Sequence, residues 1–462
     1  MKNKLFYFIG VACLLGYTST FTSCVNGVDD EYLEQKFTEG TGTDDEGEEL
    51  PDINGDYSIE GDYELIMTCN GEPLEGKKVI VAADETNEFA TLTFAAAETD
   101  IESVVGEIPG GIGGLLAGMG LKYTGNSPIP GEKEVTITDV PLFGNGTDYM
   151  FEGEHIQPTY SMTYKGKIVG GKMTVDIKYE LTNQKLAGTW MLQEPDLYIN
   201  AINSATMTPL WFDWNTNVRI RFGEILVEVP GAGPMPVNID AYSPNELHEV
   251  LILLSPAGFN VIDAQQMIAD LLQSITAMPN GSLYATYAWD PNTSNPDRWS
   301  SNMGRNIIRY YYGEEEGRLY VELDGQFIIN TIRSLTQPSP ATRGVEDELK
   351  VLGTQLIEVL KPALEKGIPC TYKLEGNKMA LNIDGEYLLR VLKVISEIAN
   401  NEVANTYLMD FLKSDATIGA YAENIGIFLK RLPVLLTYTD EINGKFSGEC
   451  KYVKIGLHLE KK

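Results

Sequence analysis

The sequence contains few of the residues and motifs that enzymes use for catalysis or metal binding. It has only three histidines among its 462 residues, and none of them stands in a His-Glu-x-x-His zinc motif. It also lacks the Gly-x-Ser-x-Gly motif of acyl-transfer enzymes, and the acidic stretch 44–49 lacks the ligand spacing of a calcium loop. These absences exclude most familiar enzyme classes, and we predict neither a metal site nor a cofactor.

Basic residues are scarce as well. The chain has 35 Lys and Arg residues against 66 Asp and Glu residues, which gives a formal net charge of −31. Such an acidic chain repels phosphate backbones, so nucleic acid is excluded as a partner. It also repels anionic lipid headgroups, so attachment to a membrane would need a covalent anchor.

The sequence has no apolar run long enough to span a membrane comfortably. A shorter apolar run lies near the N-terminus. Lys2 and Lys4 precede an apolar segment over residues 5–17, and two small residues then lead to Cys24. This order is typical of a secretory signal. We therefore predict a signal peptide over residues 1–23.

The end of this signal resembles the lipobox of bacterial lipoproteins, although Phe21 stands where that family usually has Leu. In that family the cysteine is diacylated and the peptide is cut before it. The resemblance implies lipidation of Cys24 and stable anchoring, because two or more acyl chains hold where one does not. The alternative is an ordinary cleaved signal with an incidental cysteine.

Residues 24–50 are rich in Gly, Thr and acids and poor in apolar residues, which predicts a flexible acidic tether. Asp29, Asp30 and Glu31 resemble the acidic export tag of surface lipoproteins in Bacteroidota-type envelopes. A solvated spacer is the alternative reading. The expected location is the cell envelope, as an outer-membrane lipoprotein on either face of that membrane.

The segment 51–182 has short runs with period-two alternation, separated by turn dipeptides such as Asn70-Gly71 and Gly170-Gly171. Such runs and turns predict hairpins. We predict an antiparallel β domain, either a barrel or a sandwich.

The segment 183–462 mixes strands with amphipathic helices. Segments 260–278 and 386–401, for example, carry apolar residues at helical spacing. Asp384 precedes the second of these, and an aspartate there can cap a helix. We predict an α+β domain with a β-barrel-like core, and a β-rich α+β protein overall.

Gly188-Thr189-Trp190 on a predicted strand resembles the Gly-x-Trp of lipocalin-like, or calycin, barrels, in which the tryptophan packs across the closed end. The order of signal, lipid cysteine, acidic tether and two β-rich domains is similar to lipocalin-like lipoproteins of unknown function in Bacteroidota. The resemblance implies a lipocalin-like β domain within 183–462. The inserted helices depart from a simple eight-stranded lipocalin.

The five cysteines are too few for a disulfide framework. Cys370 and Cys450 both lie on predicted strands. They form a disulfide if those strands are adjacent, and otherwise they are buried thiols.

Tryptophans supply the candidate ligand-binding residues Trp211, Trp214, Trp289 and Trp299. The first two lie together, and the last two flank a polar loop. Outward-facing aromatic rings beside Asp and Asn could stack on sugar rings, whereas inward-facing rings would belong to the core.

We therefore expect a noncatalytic binding or structural module in the envelope, with a glycan, a lipid or an envelope protein as its partner. The alternative is a hydrolase that uses two carboxylates about 5–10 Å apart across a cleft. That chemistry leaves no sequence motif, so the 66 acids neither support nor exclude it.

Overall fold

The computed structural model describes the larger part of the chain after residue 52. The described ranges are 53–58, 61–100, 122–145, 148–194, 196–198, 206–214, 220–229, 233–241, 268–288, 292–301, 306–324, 365–402, 436–440 and 445–462, with scattered helical positions between 355 and 433. Cys24, Trp289, the predicted signal peptide and the predicted tether lie outside these residues. No helix in the described part of the chain is both long and apolar enough to cross a membrane.

The described residues fall into two compact units. The first, which we call the sandwich unit, runs to Ala97 and resumes over Ser127–Thr182. The second, which we call the curled-sheet unit, takes Glu98–Asn126 and Asn183–Lys462.

The structure describes twelve strands before Asn183. They are β1 Gly55–Tyr57, β2 Glu64–Cys69, β3 Glu72–Pro73, β4 Lys77–Ala83, β5 Phe89–Ala96, β6 Glu98–Asp100, β7 Lys122–Thr124, β8 Glu134–Pro141, β9 Phe143–Asn145, β10 Asp148–Ile156, β11 Tyr160–Val169 and β12 Lys172–Leu181. β6 and β7 pair with each other and group with the curled-sheet unit.

The sandwich unit consists of a four-stranded sheet, β1-β4-β5-β8, and a six-stranded sheet, β3-β2-β12-β11-β10-β9. The predicted turns are confirmed: Gly170 and Gly171 both have positive φ and join β11 to β12 as a two-residue hairpin. One pairing, β2 with β12, is parallel. Buried residues alternate along β2, β11 and β12, and the ring centroids of Phe94 and Tyr164 lie 5.9 Å apart between the two sheets. Of the two predicted architectures, the structure has the sandwich.

The remaining elements belong to the curled-sheet unit. They are β13 Gly188–Leu192, β14 Asp196–Tyr198, β15 Thr206–Thr208, β16 Leu210–Trp214, β17 Ile220–Val229, β18 Gly233–Ala241, β19 Leu272–Ala277, β20 Leu283–Ala288, β21 Trp299–Ser301, β22 Ile308–Tyr312, β23 Arg318–Leu323, β24 Ile368–Glu375, β25 Lys378–Ile383, α1 Gly385–Asn400, β26 Thr437–Asp440, β27 Lys445–Glu449 and β28 Val453–Lys461.

The main sheet of this unit has the order β21-β20-β19-β13-β28-β25-β24-β23-β22, and β16 pairs with the first half of β28. The sheet is antiparallel and curls into a half-barrel, which confirms the predicted β-rich α+β class. Its two sides approach at one point, where Ser282 bridges Arg309 and the Tyr310 amide donates to the Gly281 carbonyl over 2.7 Å.

Helix α1 is confirmed, whereas the helix predicted over 260–278 is only partly so. Residues 268–271 are helical, but Leu272–Ala277 forms β19. Strand β19 lies between β13 and β20 and pairs with both. Backbone pairing in the sheet therefore overrides the helical periodicity of this segment.

Candidate functional site

The curled-sheet unit contains a cleft of about 490 Å³. Its walls come from β23, the turn before β24, the first turns of α1, and β28 with the residue before it. The lining residues are Arg318, Tyr320, Pro362, Lys366, Gly367, Pro369, Asp384, Gly385, Glu386, Tyr387, Arg390, Tyr452 and Lys454. Four of them are basic, two are acidic and three are tyrosines.

Two glycines allow these elements to meet. A Cβ on Gly385 would lie 3.0 Å from Cγ of Lys454, so the absent side chain lets the first turn of α1 approach the start of β28. Gly367 has a φ of +85°, which glycine adopts without strain. A Cβ there would lie 3.0 Å from the carbonyl oxygen of Val321. The cleft therefore depends on close backbone approach at both positions.

Asp384 holds one side of the cleft together. Its Oδ1 accepts from the backbone N–H groups of Glu386, at 3.1 Å, and Tyr387, at 3.0 Å, and so caps α1 as the sequence predicts. Its Oδ2 accepts from Nη2 of Arg318 over 3.1 Å. The first amides of α1 and the Arg318 guanidinium are thus both engaged by the protein itself.

Arg318 is fixed by further neighbours. Its Nε lies 3.6 Å from Oε2 of Glu315. Burial acts to lower the pKa of Arg318, but the hydrogen bond with Tyr320 and the charges of Asp384 and Glu315 outweigh it and raise that pKa above its ordinary value. Arg318 is therefore a charged residue of the cleft wall that the protein itself pairs with two carboxylates.

The other three basic residues are much less engaged. Lys366 and Arg390 are exposed, and Nζ of half-buried Lys454 lies 5.3 Å from the ring centroid of Tyr452. Among the side chains that the structure describes, no carboxylate lies at ion-pair distance from any of the three; Asp213, opposite Lys454, is described through its backbone alone. They come from three separate elements and line the same concavity.

The tyrosines give the cleft rigid aromatic surface. The ring of Tyr320 stacks on that of Tyr311 at a centroid distance of 5.0 Å and an angle of 13°. The Tyr311 hydroxyl donates to the carbonyl oxygen of Lys366 over 2.6 Å. This bond ties β22 to the turn that carries Lys366, so the aromatic and the basic walls are positioned together.

A second concavity lies inside the curled sheet. It has a volume of about 90 Å³ and apolar walls, to which Cys370, Asn382 and Gly456 also contribute. Burial, with a smaller effect of the Asp384 charge, raises the pKa of Cys370 to about 12, so the thiol stays protonated. Pockets for drug-sized ligands occupy roughly 300–1,000 Å³, so this cavity is too small for such a ligand.

Cys370 and Cys450 are buried thiols in the structure rather than a disulfide. Cys370 lies on β24 opposite Ile383 of β25, and β25 separates it from β28. Cys450 lies directly after β27, where its Sγ donates to the carbonyl oxygen of Tyr452 over 3.1 Å. Cys450 thus lies outside the main sheet that contains Cys370.

Trp211 and Trp214 lie on β16, which the structure describes through its backbone. Their partners in β28 are Gly456 and Val453, and Asp213 is opposite Lys454. The strand with both tryptophans therefore runs beside the segment of β28 that contributes Lys454 to the cleft.

Trp299 lies elsewhere, on the edge strand β21. The ring is half-buried, and the Arg298 guanidinium lies 4.5 Å from its centroid. Arg298 also pairs with Asp270 over 3.7 Å. The structure thus separates Trp299 from Trp211 and Trp214 and places a guanidinium over one face of its ring.

Trp190 of the Gly-x-Trp segment is only 1% exposed. Its indole N–H donates to the carbonyl oxygen of Leu186 over 2.7 Å, and Nζ of Lys461 lies 5.3 Å from its ring centroid. It packs against the curled sheet where β13 meets the end of β28.

No family model, curated protein or solved structure matches the chain. Over the residues that the structure describes, no three His, Cys, Asp or Glu side chains cluster as metal ligands.

The basic residues of the cleft escape sequence reasoning because they are single residues spread from Arg318 to Lys454. The one local signal nearby is Asp384-Gly385, which predicts the cap of α1 but not the cleft. Because Lys and Arg are scarce in this chain, a cluster of four basic residues would be a useful signal. The sequence does not show which four lie together, since that depends on the order of the strands in the sheet.

Proposed function

We propose that this chain is a lipid-anchored protein of the outer membrane that binds a glycan, without catalysis, in the cleft of its curled-sheet unit. The observation that carries the proposal is a cleft of about 490 Å³ lined by tyrosines and charged side chains, within the size range of ligand pockets. Aromatic rings stack on sugar rings, while charged groups hydrogen-bond to hydroxyls. The resemblance of Gly188-Thr189-Trp190 to lipocalin-like proteins agrees with a binding role.

A glycan is favoured over a lipid on grounds of size. The apolar cavity inside the sheet measures about 90 Å³, which is less than the roughly 150 Å³ of an engineered apolar cavity that binds benzene. An acyl chain would not fit such a space. The larger cleft is polar and charged, as a sugar ligand requires.

Binding is favoured over hydrolysis because of how Asp384 is engaged. This carboxylate accepts two backbone N–H groups and the Arg318 guanidinium. Both oxygens of Asp384 are thus held in structural hydrogen bonds, so this side chain serves as the cap of α1 and the partner of Arg318 rather than as a group directed at a substrate. Glu386, the other acid of the cleft, is exposed.

A glycan array with the full chain tests the binding proposal. We expect Tyr452→Ala to weaken the binding of the captured glycan about two- to tenfold, since stacking on one aromatic ring is worth about 0.5–1.5 kcal/mol. The matched control is Tyr63→Ala, which removes a half-buried tyrosine from the sandwich unit. Absence of any glycan binding, or turnover of an oligosaccharide, would contradict the proposal.

Membrane fractionation tests the anchor. Cys24→Ala should move the protein into the soluble fraction, because the acyl chains would have no attachment site. Cys13→Ala, which changes a cysteine within the predicted signal peptide, is the control and should leave the protein in the membrane. Membrane retention of Cys24→Ala would refute lipid anchoring.

A further inference from the structure

The cleft differs in charge from the chain that contains it. Its lining includes Arg318, Lys366, Arg390 and Lys454 against the acids Asp384 and Glu386, whereas the whole chain has a net charge of −31. A concave surface of one sign focuses its field and concentrates counter-ions locally. The cleft is thus a positive region on a negative protein.

The positive charge is available to a ligand. Arg318 is neutralised by Asp384 at 3.1 Å and Glu315 at 3.6 Å. Among the side chains that the structure describes, in contrast, no carboxylate lies at ion-pair distance from Lys366, Arg390 or Lys454. Three basic side chains on three separate elements therefore point to an anion with more than one charge.

The start of α1 does not explain an anion site. Asp384 already accepts from the N–H groups of Glu386 and Tyr387. An anion in the cleft would have to be bound by side-chain cations, as charge-assisted hydrogen bonds allow. These side chains are accessible, since Lys366 and Arg390 are exposed and Lys454 is half-buried.

We infer that the glycan bound by the cleft is acidic, with carboxylates that pair with Lys366, Arg390 and Lys454 while a sugar ring stacks on a cleft tyrosine. This inference rests on the proposed function and names its ligand class. The carboxylates of the ligand would supply counter-charges for these three basic side chains, and its pyranose ring would supply a face for stacking.

Two probes that differ only in charge test the inference. Trigalacturonate and its methyl ester have the same rings and linkages, but the ester lacks the carboxylates. By calorimetry with the full chain, we expect the acid to bind at least about tenfold more tightly than the ester. Its affinity should fall as salt rises from about 0.02 M to about 0.2 M, because partly exposed charges are screened.

Variants locate the anion site. Arg390→Gln combined with Lys454→Gln should weaken trigalacturonate about tenfold or more and leave the ester nearly unchanged. Lys430→Gln is the control, because Lys430 is an exposed helical residue of the same unit outside the cleft lining. A loss of affinity equal to that of the control would overturn the assignment of the site.

The outcomes separate the two proposals. Equal binding of acid and ester overturns the anionic ligand but supports glycan capture. Failure of both probes, with binding of inorganic sulfate that the double variant abolishes, supports an anion site and overturns its occupation by a glycan. Failure of trigalacturonate, its ester and sulfate alike overturns the acidic-glycan inference, while the glycan array decides the proposed function independently.

Discussion

The two units differ in how their interiors are packed and in how their charged side chains are arranged. The sandwich unit fills the space between its sheets with large side chains such as Phe94 and Phe151, which are at most 1% exposed. Its outer face pairs opposite charges, as between Lys172 and Glu64 at 2.9 Å. The curled-sheet unit has a cavity of about 90 Å³ inside its sheet and a separate cleft of about 490 Å³ lined by four basic residues. The sandwich therefore has the close packing of a stable scaffold, whereas the curled sheet has the concave surface that the proposed ligand binding needs.

The largest effect is expected in the core of the sandwich. Leu92→Ala removes a side chain with no exposure from β5 and should lower the free energy of unfolding by about 2–5 kcal/mol, the usual range for such truncations. Ile80→Ala on the neighbouring strand β4 is the control, because Ile80 is 38% exposed and should cost less than about 1 kcal/mol. Urea unfolding, followed by far-UV circular dichroism, measures the free energy of unfolding of both variants. Similar costs for the two variants would break the picture of a close-packed sandwich.

A smaller effect is expected at the edge of the cleft. Asp384→Ala should cost about 0.5–2 kcal/mol through loss of the α1 cap. Asp384→Asn keeps a capping oxygen and should cost less, while removing a negative charge beside Arg318.

The Asp384→Asn variant also tests whether the curled-sheet unit binds anions. If the cleft binds anions, Asp384→Asn should bind trigalacturonate more tightly than the parent by calorimetry. Weaker binding by this variant, with its stability preserved, would show that the carboxylate itself contacts the ligand.

Alkaline pH should affect the sandwich through Tyr160. Burial, together with the nearby charge of Glu132, raises the pKa of Tyr160 from 10.0 to about 12. The folded state therefore holds this proton more tightly than the unfolded state. The resulting stability is complete below pH 10 and is lost as the pH rises through about 12.

Tyr160→Phe has no such proton, so its stability should fall less than that of the parent between pH 10 and pH 12. Unfolding midpoints in urea across this window measure the difference. Tyr63→Phe, at a half-buried position of the same unit, is the control. An identical alkaline decline in the parent and in Tyr160→Phe would refute the role of this hydroxyl.

The smallest effect is expected at the cysteines of the curled-sheet unit. Cys370 should resist iodoacetamide in the native protein at pH 8, because it is buried and its pKa is raised to about 12. Peptide mapping by mass spectrometry should find Cys370 and Cys450 unmodified in the native protein. Both should be alkylated once the protein is unfolded, even when no reductant is added. A peptide that contains both, joined through sulphur, would show that they form a disulfide in the protein.

Local features of the fold follow from the sequence, and distant pairings do not. The Gly170-Gly171 hairpin and the Asp384 cap of α1 were predictable, because each depends on neighbouring residues. The parallel pairing of β2 with β12 places Glu64 beside Lys172, although most of the sequence of the sandwich unit lies between these two residues. No local pattern specifies that register.

The cleft was unpredictable for the same reason. Strand β28 lies between β13 and β25, so Lys454 comes close to α1 only through the order of the sheet. The predicted tryptophan site drew on sequence proximity, and Trp211 on β16 does run beside this part of β28. Trp299 shows the limit of that reasoning, because β21 lies at the far edge of the same sheet.

Hydrogen–deuterium exchange of the full chain, with and without saturating trigalacturonate, tests the division between scaffold and binding unit most directly. We expect slower exchange at the backbone amides of β23, the first turns of α1 and the start of β28, where Arg318, Arg390 and Lys454 lie. Exchange in β1–β5 and β8–β12 should not change. Protection confined to those sandwich strands, with β23, α1 and β28 unaffected, would contradict the assignment of ligand binding to the curled sheet.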